Sequence, residues 1–127
     1  MVNLFETNGL ATTPGSVAIT VTAPAGYTLA FAPSITSINV SGGGATAVSN
    51  ANWSVTNIVG NIQISLIMKT GQFIGANSTN SLGFSITRTS ASSGSTANIN
   101  VNVTNDATNG YDSNLTNNVY ARIISGL

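Results

Sequence analysis

The chain contains no cysteine and no histidine. The first absence excludes disulfides, thiolate metal sites and a cysteine nucleophile together. The second removes the commonest general base and metal ligand. Charge is almost as scarce. Glu6, Asp106, Asp112, Lys69, Arg88 and Arg122 are the only ionised side chains among 127 residues, and they sum to zero. An ordinary soluble domain has about a quarter of its residues charged. With no Lys/Arg cluster, the chain lacks the footprint that neutralising phosphates or holding a basic membrane-surface patch requires, so nucleic acid is not an expected partner. Enzymes without Cys and His rely on paired carboxylates or a Ser–Lys arrangement, and three acids with one lysine leave few such combinations, so no enzymatic activity is expected. No apolar run approaches the roughly 20 residues of a spanning helix, and membrane insertion is not expected. Met1–Leu10 has neither a basic start nor an apolar stretch. Any export signal is therefore expected to have been removed or to lie upstream.

What the chain does contain is alternation. Ala97, Ile99, Val101 and Val103 interleave with Asn98, Asn100, Asn102 and Thr104, the period of two expected when one strand face lies on a core and the other meets water. Val17, Ile19 and Val21 repeat the pattern, as do Trp53 with Val55, then Ile62, Ile64, Leu66 and Met68, then Leu82, Phe84 and Ile86. After a polar loop Val119, Ala121 and Ile123 resume it, which turns Tyr120 outward. Tyr27–Phe31, the segment around Ile38 and Val40, and Ala45–Val48 read as shorter strands, and Met1–Pro14 as an edge strand or linker. Turn signals separate them: Asn8-Gly9, a turn with Pro24 second and Gly26 fourth, and Gly42-Gly43-Gly44. Nowhere do apolar residues recur at helical spacing. A single all-β domain over residues 1–127 follows, an antiparallel two-layer sandwich of about seven to nine strands. Its expected core is Val17, Ile19, Val21, Trp53, Ile64, Leu66, Phe84, Ile86, Ile99, Val101 and Ile123. An indole can also form a stacking platform for a sugar, but the alternation with Val55 favours the core for Trp53.

A further pattern lies in the order of motifs from about Gly15 onward. An alternating strand is followed by Pro24-Ala25-Gly26-Tyr27-Thr28, a strand bearing Trp53, Leu82-Gly83-Phe84, and a closing Asp112-Ser113-Asn114-Leu115-Thr116-Asn117-Asn118. This succession resembles the Ig-like repeat domains of large bacterial cell-surface and adhesin proteins. The resemblance implies an Ig-like sandwich acting as a non-catalytic spacer or adhesion unit, extracellular at the cell surface or secreted. It also implies partners that are neighbouring domains of the same polypeptide or like subunits, and it carries over no catalytic residues. The N-terminal strand of those repeats has no clear counterpart in Met1–Pro14. Some surface Ig-like domains carry an acid-assisted Lys–Asn isopeptide bond. Here Lys69 closes a strand where its head reaches water, which speaks against one.

Two constellations are candidate sites. Asp106, Asp112, Asn114 and Asn117 gather oxygen ligands at spacings that recur in calcium loops, but two carboxylates would bind the ion weakly. Successive turns in which Asn and Asp bond to their own backbone account for the same residues without an ion. Tyr111 and Tyr120 are the aromatic candidates for a ligand surface, and surface glycans are the partner they would suit. A self-assembling fibre or capsid subunit is the remaining alternative, because open sandwich edges need protection and few charges are present to give it.

Overall fold

β-Branched residues alternating with threonine, serine and asparagine fit a pleated surface buried on one side, and the chain uses them for most of its length. The computed structural model describes residues 1–40, 44–89, 96–104 and 119–125, and every sheet in it is antiparallel. Its strands are β1 (Val2–Phe5), β2 (Ala18–Thr22), β3 (Tyr27–Ala30), β4 (Ser37–Val40), β5 (Gly44–Ala47), β6 (Trp53–Val59), β7 (Gln63–Met68), β8 (Thr79–Leu82), β9 (Ser85–Arg88), β10 (Thr96–Thr104) and β11 (Val119–Ser125). A 3-10 turn at Asn50–Asn52 is the only helical element among the described residues.

One layer is a five-stranded sheet in the order β11-β10-β2-β7-β6; the rest is three two-stranded ribbons, β1-β8, β3-β9 and β4-β5. A single core joins them. Ile19, Val21, Trp53, Ile64, Leu66, Met68 and Val101 come from the large sheet, and Leu4, Tyr27, Leu29 and Leu82 from the ribbons, with Ala23 and Ile74 from the connections. Val17, Phe84 and Ile99 pack against this cluster half-buried. The architecture is the all-β antiparallel sandwich the alternation predicts.

The described residues form eleven strands rather than seven to nine, and Leu82–Ile86, expected as one strand, is two of them. β8 pairs with β1, the chain breaks at Gly83-Phe84, and β9 pairs with β3. The break is held by Asn50, which is fully buried. Its Oδ1 accepts the Gly83 N–H at 2.8 Å while its Nδ2 donates to the Gly83 carbonyl at 2.9 Å and to the Ala32 carbonyl at 3.0 Å. The side-chain amide thus supplies the donor and acceptor that a neighbouring strand would have supplied. Beside it, the Ser49 N–H donates to Ser81 O at 2.7 Å. A Cβ at position 83 would stand 2.7 Å from Ile38 Cγ2 and 3.4 Å from both Val48 methyls, so glycine is what lets the β4-β5 ribbon close over the break. On the other side Phe84 and Phe31 meet at 5.2 Å between ring centroids, tilted by 45°.

Trp53 is fully buried, and its Nε1 donates to Asn80 Oδ1 at 2.9 Å. This bond crosses from β6 to β8, so the one buried indole nitrogen is satisfied inside the core. The sequence from Thr70 to Asn80 reads as a loop, yet Asn80 lies within β8, because residues 79–82 form the ladder with β1.

Several expectations need correcting. Val55, Ile62 and Ile86 are exposed rather than buried. Val55 and Ile86 stand opposite the buried Leu66 and Leu29, so strand phase is as expected and what is missing is cover from the facing layer. Ile62 precedes β7, in the turn where its N–H donates to Val59 O. The turn at Pro24 is one residue later than expected: Tyr27 N–H donates to Pro24 O, and Gly26 takes the third position with φ of 83°. In β11 the ladder sets Tyr120 opposite Val101 and Ile123 opposite Asn98, the reverse of the phase expected for that strand.

Asn50→Ala should cost about 3 kcal/mol or more, because it leaves the buried Gly83 N–H and C=O without their partner. Gly83→Ala should cost about 1–3 kcal/mol by overpacking against Ile38 and Val48. Denaturant unfolding measures both; a loss below about 0.5 kcal/mol for Asn50→Ala would show that the amide is dispensable.

Candidate functional site

The residues that alternate with the core form the outer face of the large sheet. In β10 these are Asn98, Asn100 and Asn102; in β2, Thr20 and Thr22; in β7, Gln63 and Ser65. Register assembles them into rows. Asn102, Thr20 and Ser65 are consecutive ladder partners, as are Asn100, Thr22 and Gln63. Strands lie about 4.8 Å apart and rows on one face about 6.7 Å apart, so the polar groups stand on a regular grid. Thr20 Oγ1 and Ser65 Oγ share a hydrogen bond of 3.1 Å, and Gln63 Nε2 donates to Thr22 Oγ1 at 3.1 Å. The three β10 asparagines are exposed and free to face a partner. Ala18 and Ile67, paired with each other, end the polar grid on one side.

This surface carries amide and hydroxyl donors and acceptors without an ionised group. Its described residues suit a neutral, hydrogen-bonding contact. Two of the described ionisable side chains, Glu6 and Lys69, bond to loops instead. Glu6 Oε2 accepts the Asn77 N–H at 2.7 Å and Oε1 accepts the Asn8 N–H at 2.6 Å. These donors, Asn77 foremost, with Leu10 and Gly9 adding to Asn8, hold its carboxyl below the usual carboxylate range against an opposing effect of desolvation. The positive φ of Gly9 (74°) and Asn77 (52°) turns the two loops toward the carboxylate. Lys69 Nζ donates to Ala51 O at 2.7 Å in an exposed position. Glu6 and Lys69 therefore serve different loops, and no acid-assisted isopeptide arrangement forms between them.

Of the sites expected from sequence, Asp106, Tyr111, Asp112, Asn114 and Asn117 lie outside the described residues. Tyr120 is placed by its backbone alone, as the ladder partner of Val101. Among the described residues no three His, Cys, Asp or Glu side chains gather where they could hold a metal ion. Tyr27 and Trp53 are core residues, which removes both rings from any sugar-stacking surface. Sequence reasoning passed over the outer-face grid because its signal, the polar half of each alternation, becomes a surface only when register sets the rows side by side. Comparison with known proteins gives no family model that matches the chain and no similar curated protein or solved structure.

Because the Glu6 carboxyl titrates below its unfolded value of about 4.3, its contribution to stability is present above that pH and lost as pH falls through the lower folded value. Glu6→Gln should therefore be less stable than the parent at pH 7, with the gap closing on acidification to about pH 2. Denaturation midpoints of both proteins across this range test it; a gap independent of pH would remove the carboxylate from the account.

Proposed function

We propose that the chain is a non-catalytic structural module, a spacer or adhesive unit of a bacterial cell-surface protein. The observation that carries this reading is the uncharged grid on the outer face of the large sheet, Asn102-Thr20-Ser65 and Asn100-Thr22-Gln63. A hydrated neutral face contacts glycans, peptides or a neighbouring module through hydrogen bonds whose strength depends little on salt, which suits exposure outside the cell. The chain has no cysteine and therefore no disulfide, and Glu6 and Lys69 are engaged in holding loops. The order of motifs from Gly15 to Asn118 supports the same reading through its resemblance to Ig-like surface repeats.

A self-assembling subunit is the second reading, favoured by the apolar, uncharged edge at β6. A sugar-binding module has less support, since Trp53 and Tyr27 are enclosed by the core.

Antibody raised against the chain should label intact source cells, and externally added protease should abolish that labelling. Signal that emerges only after lysis would overturn the surface assignment. A grid that contributes to adhesion also predicts that Asn100→Asp with Asn102→Asp reduces attachment of the purified protein to its target surface several-fold while leaving the unfolding midpoint within a few degrees of the parent.

A further inference from the structure

Residues 7–68 carry no ionised side chain, and within that span β6 is the terminal strand of the five-stranded sheet as described. Every residue from Val55 to Ile62 is exposed. Four of them are large and apolar: Val55 is 37%, Ile58 53%, Val59 48% and Ile62 42% exposed. The ladder explains how they are distributed. Val55 lies opposite Leu66 and, after a bulge between Val55 and Asn57, Ile58 lies opposite Ile64; both partners are core residues. Without the bulge, simple alternation would give that inner position to Asn57. Val59 lies opposite Gln63 and so belongs to the other face, with Ile62 in the turn. Apolar side chains therefore wrap the β6-β7 hairpin edge on both faces. Natural sheet edges are usually guarded by lysine, by proline or by inward charge, and this one has only the bulge.

We propose that this hairpin edge is the docking surface for a second copy of the chain, joined through a twofold axis. In such a contact each patch meets its own duplicate, so any ionised residue near the axis would face a like charge. A face free of charge on a chain of zero net charge is the kind that a twofold can close. The four half-exposed side chains offer on the order of 300 Å² per copy, against about 800 Å² per partner in a standard stable interface. The dimer is accordingly weak and concentration-dependent, and because the bulge interrupts the free ladder, side chains rather than a long run of backbone bonds carry it. The proposal deepens the like-subunit part of the functional reading: copies held in an array or at a crowded surface reach effective concentrations of about millimolar, where a weak contact is occupied.

Sedimentation equilibrium of the whole chain from micromolar to millimolar concentration tests this. The average mass should climb toward that of two chains, and Ile58→Lys should raise the dissociation constant at least tenfold without moving the unfolding midpoint. The absence of native cysteine allows a second measurement. Ile58→Cys should oxidise to a disulfide-linked dimer faster than Phe5→Cys, a control at a position 66% exposed on β1. A mass that stays monomeric at every concentration, a dimer indifferent to Ile58→Lys, or equal cross-linking at the two cysteines would each overturn the proposal. So would a monomer whose unfolding midpoint falls sharply in Ile58→Lys, since the face would then be covered from within the chain. None of these outcomes touches the labelling of intact cells, so the docking surface and the surface-module reading fail separately.

Discussion

The two-way hydrogen bond between the Asn50 side chain and the Gly83 peptide is the contact on which the second layer depends. A strand that continued straight from Thr79 to Arg88 would serve one partner; broken at Gly83, it serves β1 with one half and β3 with the other. The break removes a peptide group from any ladder inside the core, where an unpaired N–H or C=O costs about 1–3 kcal/mol. Asn50 restores both bonds and also ties Ala32, two residues beyond β3, to the same point. Glycine at the break and Ile38 and Val48 above it complete the arrangement, so the β4-β5 ribbon is seated by the same feature.

The second internal fastening, Trp53 to Asn80, follows the same chemistry. Both are neutral amides meeting neutral partners, which avoids the several kcal/mol per ion that burying charge would cost. They differ in reach: Asn80 links β6 to β8 across the sandwich, whereas Asn50 reaches from the 3-10 turn to the β8-β9 break. A domain built this way has little reason to change stability with salt, and the main pH-sensitive element described is the Glu6 carboxylate at the Asn8 and Asn77 loops.

The two surfaces that remain have opposite characters. The outer face of the large sheet is polar, neutral and ordered by register, suited to a hydrated partner. The β6-β7 edge is apolar and equally uncharged. The two surfaces adjoin along β7, where Val59 of the edge is the ladder partner of Gln63 in the grid.

The sequence by itself determined most of the strand stretches and, for β2, β7 and β10, which side of each faces the core, because a period of two leaves one choice once one face must be dry. It also determined that polarity comes from neutral side chains, and that cysteine and histidine chemistry is excluded. Tertiary structure decided the rest. Asn50 and Asn80 are two among seventeen asparagines, and nothing local separates them from those on the surface; burial and the atoms facing them do. Val55 and Ile86 read as core, and their phase is right, but burial needs a second layer overhead and none of the described residues provides enough. The division of Leu82–Ile86 was hidden for the same reason. Alternation records which way a side chain points, whereas partner choice, strand breaks and cover are set by groups distant in the chain, whose approach only the folded structure contains.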